Sequence, residues 1–127
     1  MTPEVEEALE EIRTTFSGHN VTIEPEKQGG AYVIVHDVNI SQVYNPPVTW
    51  IGFLIDFQYP RSDVYPHFVD GSIKRADNRA LGEGFSGPNN WQGRQAIQVS
   101  RRSNHRNSAV DTAALKLLKV IEWLHTR

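Results

Sequence analysis

The chain has 127 residues, of which 39% are hydrophobic and 22% charged, and its formal net charge is −2. This length and composition are typical of one globular domain and exclude both a disordered chain and two domains of ordinary size. Because the sequence contains no cysteine, disulfides, thiolate metal sites and cysteine nucleophiles are excluded.

The sequence predicts a cytoplasmic protein without membrane partners, metals or cofactors. No apolar run approaches the ~18 residues needed to span a bilayer, and the acidic start, MTPEVEE, lacks the basic region of a signal peptide. The histidines show no metal-ligand spacing, and Gly82-Glu83-Gly84 is not followed by the Gly-Lys-Ser/Thr of a phosphate loop. The negative net charge makes nucleic acid a poor candidate partner, although residues 94–106 are basic.

The first predicted element is an amphipathic helix. Thr2 can cap it, Pro3 suits its first position, and Gly18 is expected to end it. One face carries glutamates, which are expected to be solvated or to dock a basic partner. The other face repeats apolar residues at helical spacing: Val5, Ala8, Leu9, Ile12 and Phe16.

Three strands are predicted next, over residues 21–24, 31–38 and 51–57, with turns between them. In the second strand, Val33 and Val35 should face away from Tyr32 and Ile34 because side chains alternate along a strand. The third alternates as well, with Ile51, Phe53, Ile55 and Phe57 on one side. A helix followed by an antiparallel meander predicts an α+β fold.

Two dipeptides, Tyr59-Pro60 and Tyr65-Pro66, follow the third strand. Their prolines fix φ and cannot donate to a β-ladder, so the chain must leave the sheet in an ordered corner. Each tyrosine can bury its ring while its hydroxyl finds a partner. We therefore expect the corner to be packed.

The remaining chain predicts a short fourth strand at 67–69, a long irregular loop at 72–93, an extended segment at 95–100 and a final helix. A loop of that length is either functional or a flexible insertion. Ser108 and Asp111 have the spacing of a capping box. Apolar residues line one predicted face of the helix: Val110, Ala114, Leu117, Ile121 and Leu124.

The F-x-I-x-F strand, the Tyr-Pro corner and the order of elements resemble the E2 fold of ubiquitin-conjugating enzymes. The resemblance covers nearly the whole chain and is closest to compact bacterial E2-like proteins, through Trp91-Gln92 and Ser100-Arg101. It implies one UBC-like domain over residues 1–127, with an N-terminal helix on a four-stranded meander and a long active-site-type loop. Gln58 and His67 depart from the aromatic and proline residues common at the corner.

A working E2 holds the carboxyl terminus of a ubiquitin-like protein on a cysteine, and has a His-Pro-Asn tripeptide upstream whose asparagine supports the oxyanion. This chain has neither. Laid on the E2 pattern, the cysteine position falls at or near Ser100, and Ser103 and Ser86 are the alternatives. A serine hydroxyl needs a general base or strong electrostatic help to act as a nucleophile.

Candidate helpers lie close to these serines in the sequence or at the corner. His105 or His67 could act as the base, while Arg101, Arg102 and Asn104 could stabilise an oxyanion. The alternative interpretation is that residues 100–107 only lead into a helix, with serines and asparagines satisfying its free amides, and that both histidines are structural.

The resemblance implies an E2-type transferase of a bacterial ubiquitin-like conjugation pathway that carries its partner as an oxyester on Ser100. Its partners would be an E1-like adenylating enzyme and a ubiquitin-like protein. The first alternative is a non-catalytic E2 variant that binds either partner as a scaffold, with Trp91, Arg94 and Arg106 as docking surface. The second is a small module that binds RNA or an acidic partner through arginines, namely Arg75, Arg79, Arg94, Arg101, Arg102 and Arg106.

Overall fold

Two helices and a six-stranded sheet form most of the fold in the computed structural model, which describes residues 1–103 and 106–127. The predicted site residues Asn104 and His105 lie outside the described residues. The elements are α1 (Pro3–Thr15), β1 (Val21–Pro25), β2 (Ala31–Asn39), β3 (Tyr44–Asn45), β4 (Val48–Ile55), β5 (His67–Asp70), β6 (Lys74–Arg75), β7 (Phe85–Trp91), β8 (Arg94–Val99) and α2 (Ala113–His125).

Helix α1 begins as the sequence predicts. The Thr2 hydroxyl accepts a hydrogen bond from the Val5 backbone N–H at 3.1 Å, and Pro3 occupies the first helical position. The helix ends at Thr15 with Phe16 as its C-cap, earlier than the predicted stop at Gly18. Its apolar face is buried, so the predicted amphipathic character is confirmed.

The sheet order is β1-β2-β4-β5-β8-β7, and every neighbouring pair is antiparallel. Strands β1, β2, β4 and β5 form the predicted meander, and the β7–β8 hairpin extends it. Strands β3 and β6 pair in a separate ladder. The prediction of an irregular loop over 72–93 is therefore wrong. The sequence of β7, FSGPNNW, has weak strand propensity, and the strand exists because it pairs with β8 across a register shift.

The two faces of the sheet are covered differently. The inner face packs its valines, isoleucines and phenylalanine against α1 and α2. On the outer face, Trp91 packs with Ile34 and Ala96. Trp91 lies directly over Gly52, where an added Cβ would come within 2.3 Å of the indole ring. Trp91 ends strand β7 and is 9% exposed, so little of its indole ring is accessible for the docking role that the sequence predicts.

Helix α2 begins later than predicted. Its N-cap is Thr112, whose hydroxyl accepts from the Leu115 N–H at 3.3 Å. The predicted Ser108–Asp111 capping box is wrong, because Asp111 instead accepts from the Asn107 N–H in a separate turn. No helix in the described ranges is long and apolar enough to cross a membrane.

Candidate functional site

The tyrosine-proline corner is packed, as predicted, and it contacts the start of α2. Tyr59 is 7% exposed, and its hydroxyl accepts a hydrogen bond from the Ala113 N–H at 3.1 Å. The Arg102 guanidinium lies 4.3 Å from the centre of the Tyr65 ring, within the range of a cation–π interaction. Both Tyr-Pro peptide bonds are cis. The corner, which lies between β4 and β5, thus contacts both the segment that follows β8 and the start of α2.

Asp63, between the two Tyr-Pro dipeptides, is the centre of a polar cluster. It accepts hydrogen bonds from the Ser103 N–H at 2.9 Å and from the Ser103 hydroxyl at 3.0 Å. Lys116 Nζ donates to both carboxylate oxygens, at 3.0 and 3.2 Å, and to Ser103 Oγ at 2.8 Å. Arg106 Nε lies 3.7 Å from Asp63. We call Asp63, Ser103, Arg106 and Lys116 the corner cluster.

Burial and hydrogen bonding act on both charges of this cluster. Burial opposes ionisation of Asp63, but the donors on Ser103 and Lys116 outweigh it, so the pKa of the carboxyl is lowered. Burial lowers the pKa of Lys116, and its hydrogen bond and charge interaction with Asp63 oppose that shift. We conclude that the two groups form an ion pair at neutral pH, with the ammonium almost fully enclosed.

His67, a predicted general base, is fully buried in β5. Among the described residues neither ring nitrogen has a hydrogen-bond partner, so no candidate serine is hydrogen-bonded to it. Burial, reinforced by the charge of Lys116, lowers its pKa to about 3, and the ring packs 5.1 Å from that of Phe53. The imidazole is therefore neutral at pH 7, but in the part of the chain that the structure describes no nucleophile is hydrogen-bonded to it.

The three candidate serines have different environments. Ser100 follows β8; its N–H donates to the Gly84 carbonyl at 2.7 Å, and its hydroxyl accepts from the Gln98 amide at 3.1 Å. Ser86 is exposed on the edge strand β7. Ser103 is the candidate whose hydroxyl contacts titratable groups among the described residues.

Those contacts hold the Ser103 hydroxyl without activating it. Lys116 is a donor in the ion pair and has no free lone pair to accept a proton. Asp63 accepts the hydroxyl hydrogen, but its lowered pKa makes it a weak base. The fixed ammonium is nevertheless placed where it would stabilise an alkoxide.

Sequence patterns missed Lys116 and Asp63. Lys116 precedes Leu117 on the buried stripe of α2, and a lysine at that position signals either a buried ion pair or a functional amine. Asp63 had no such signal, because its partners lie 40 and 53 residues away in sequence.

A groove of about 180 Å³ lies beside the corner cluster. We call it the basic groove. Arg101 and Arg102 are exposed on it, and the Arg101 guanidinium lies 4.9 Å from the centre of the Trp123 ring. Its lining residues are Arg101, Arg102, Ser103, Asp111, Lys116, Lys119, Val120 and Trp123.

The predicted docking residues do not form one surface. Trp91 pairs with Arg94 at the β7–β8 turn, and the Arg94 guanidinium lies 5.5 Å from the centre of a Trp50 ring on the outer face. Arg106 instead belongs to the corner cluster, and it donates to the carbonyls of Pro60 and, at 3.1 Å, Arg61. The fold thus separates Arg106 from the other two.

Within the described residues, no group of three or more histidine, aspartate or glutamate side chains is arranged to hold a metal ion. No protein-family model, curated protein or solved structure matches this chain. The geometry of the corner cluster and the basic groove therefore carries the functional inference.

Proposed function

We propose that this protein is an E2-like scaffold of a bacterial ubiquitin-like conjugation pathway. In this role it binds the ubiquitin-like protein, the E1-like enzyme or both, without carrying either covalently. The E2-like assignment is supported by the order of a helix, a four-stranded meander with a tyrosine-proline corner before its fourth strand, and a second amphipathic helix. The β7–β8 hairpin is a departure, because it adds two strands to the meander that the resemblance implies.

The bonding of Ser103 is the observation that favours a scaffold over a carrier. Both its N–H and its hydroxyl are committed to Asp63. The hydroxyl of Ser100 contacts an amide, which cannot take up a proton at neutral pH. Among the described residues neither serine contacts an available base. A serine without one supplies essentially no alkoxide, so acyl transfer through either residue is expected to be slow.

An acyl carrier is the second candidate, and the 2.8 Å contact between Lys116 Nζ and Ser103 Oγ favours it. The serine oxygen would attack the activated carboxyl carbon of the ubiquitin-like protein and displace the adenylate. Its proton would pass to Asp63 and then to water, while the ammonium stabilised the developing negative charge. Ser100 remains the position that the resemblance implies for the same reaction.

One incubation separates the two candidates. The protein is mixed with the E1-like enzyme, the ubiquitin-like protein and ATP, and is then analysed on denaturing gels and by size-exclusion chromatography. A scaffold gives a non-covalent complex and no adduct. A carrier gives an adduct that survives thiol reductant, is cleaved by mild alkali and is lost in Ser103→Ala or Ser100→Ala.

Ser86→Ala is the matched control, since it removes an exposed hydroxyl from the edge strand. Ser100→Cys provides a second check, because a thiol yields far more of the reactive anion at neutral pH than a hydroxyl does. If partners shown to be active give neither a complex nor an adduct, both candidate functions are wrong.

A further inference from the structure

The basic groove is built from two walls of different origin. The segment after β8 supplies Arg101 and Arg102, and one face of α2 supplies Lys116, Lys119 and Trp123. The lysines are three residues apart, so they lie on the same side of the helix. Arg101 and Arg102 each place a guanidinium over an aromatic ring, that of Trp123 and that of Tyr65.

The charges on these walls do not balance. Lys116 is paired with Asp63 at 3.0 Å, and Lys119 Nζ lies 3.5 Å from Asp111. In the described part of the chain, no carboxylate lies within 4.0 Å of Arg101 or Arg102. After both lysines are neutralised, the groove keeps two exposed guanidiniums, Arg101 and Arg102, for which the described residues supply no paired carboxylate.

We propose that the basic groove binds an acidic, extended peptide segment of a partner protein, with Arg101 and Arg102 as its recognition residues. A guanidinium can pair with a carboxylate through two parallel hydrogen bonds. Stacking on Trp123 and Tyr65 restricts both side chains before binding, so less conformational entropy is lost when a carboxylate pairs with them.

The groove suits an acidic peptide better than a single-stranded nucleic acid. Nucleic-acid grooves of this kind combine cations with aromatic rings on which bases stack. Here the Trp123 ring already packs against other groups. The guanidiniums of Arg101 and Arg127 lie over it, the latter 4.6 Å from the ring centre, and the centre of the Phe85 ring lies 5.2 Å away.

Binding of an acidic peptide depends on the groove alone and does not require the E2-like role. Binding is measured by fluorescence anisotropy at low salt, with a labelled, C-terminally amidated peptide in which glutamate alternates with serine. The control peptide has glutamine in place of every glutamate. The groove predicts saturable binding of the acidic peptide, weakening with added salt, and no binding of the glutamine peptide.

The Arg101→Gln/Arg102→Gln variant should weaken this binding about tenfold or more, because charge-assisted hydrogen bonds are lost. Lys27→Gln removes a positive charge from the exposed β1–β2 turn, which does not line the groove, and should leave the affinity within about twofold, since solvent and salt screen exposed charges. Both arginines are exposed, and thermal unfolding checks that the variant is folded. Equal affinity for the two peptides, unchanged binding by the double variant, or tighter binding of a matched oligouridylate would overturn the proposal.

Discussion

Replacing either Asp63 or Lys116 breaks the same ion pair, but the two substitutions should lower the free energy of unfolding by different amounts. The Lys116 side chain is 8% exposed and that of Asp63 is 24% exposed. In Asp63→Asn the ammonium loses its charge partner and keeps only neutral acceptors. An unpaired buried charge costs ~3–5 kcal/mol, and the flexible lysine stem can relax towards the groove, so we expect about 3 kcal/mol.

Lys116→Met leaves the Asp63 carboxylate with other groups that still interact with it. The carboxylate keeps both hydrogen bonds from Ser103, at 2.9 and 3.0 Å, and the nearby Arg106 guanidinium at 3.7 Å. Methionine also fills much of the volume of the lysine stem. The expected loss is about 1 kcal/mol, close to the net contribution of one ordinary hydrogen bond.

Urea unfolding at pH 7, followed by tryptophan fluorescence and far-ultraviolet circular dichroism, measures both losses. The difference of about 2 kcal/mol corresponds to roughly 8 °C in Tm for a domain of this size. The Asp63→Asn/Lys116→Met double variant should be more stable than Asp63→Asn alone, because the stranded charge is gone. The reasoning fails if Lys116→Met costs as much as Asp63→Asn, or if the two losses simply add.

Three further predictions concern other parts of the fold. The pKa of His67 falls from its ordinary value of 6.5 to about 3 on folding, so the folded state binds fewer protons and stability is lost as the pH decreases. Unfolding free energy should drop by about 2 kcal/mol from pH 8 to pH 5, and His67→Leu should abolish this drop in urea titrations. Thr112→Ala should lower the Tm by removing a helix cap that contributes ~1 kcal/mol, whereas an equal effect of Ser108→Ala would contradict the observed start of α2. Gly52→Ala should cost about 2 kcal/mol or more by overpacking against the indole ring and shift tryptophan emission, while Gly18→Ala meets no atom within 4 Å and should not destabilise.

The basic groove and the corner cluster share Ser103 and Lys116, yet they have separate tests. Conjugation assays examine the hydroxyl and its ion pair, and peptide binding examines the two arginines. A groove that binds acidic peptides in a protein that forms no adduct would agree with a scaffold. An adduct on Ser103 would show that a serine held by Asp63 can still react.

Local sequence signals predicted the elements whose causes are local. Thr2 and Pro3 predicted the start of α1, because a cap and a fixed φ act within one turn. Alternation predicted β2 and β4 and the faces of their side chains, except that β4 ends at Ile55 and Phe57, predicted on its buried face, is 41% exposed. The corner followed from prolines, which cannot take part in a ladder.

Where the sequence pattern was weak or misleading, only the tertiary structure decided which elements formed and where they began. Strand β7 forms because β8 supplies its hydrogen-bond partners, and its own sequence of glycine, proline and asparagine does not favour a strand. Helix α2 begins at Ala113 rather than at the predicted Ser108, and the Tyr59 hydroxyl accepts from the N–H of that first helical residue.

Charge and burial at the candidate site were likewise decided at long range. Lys116 is enclosed because Asp63, 53 residues earlier, reaches its ammonium. Trp91 is buried because Gly52, from another strand, leaves space for the indole ring. Composition and spacing determined the class of fold and the order of its elements other than β3, β6 and β7, since those features depend on neighbours in sequence. The ion pair, the held serine and the basic groove depend on groups brought together only when the chain folds.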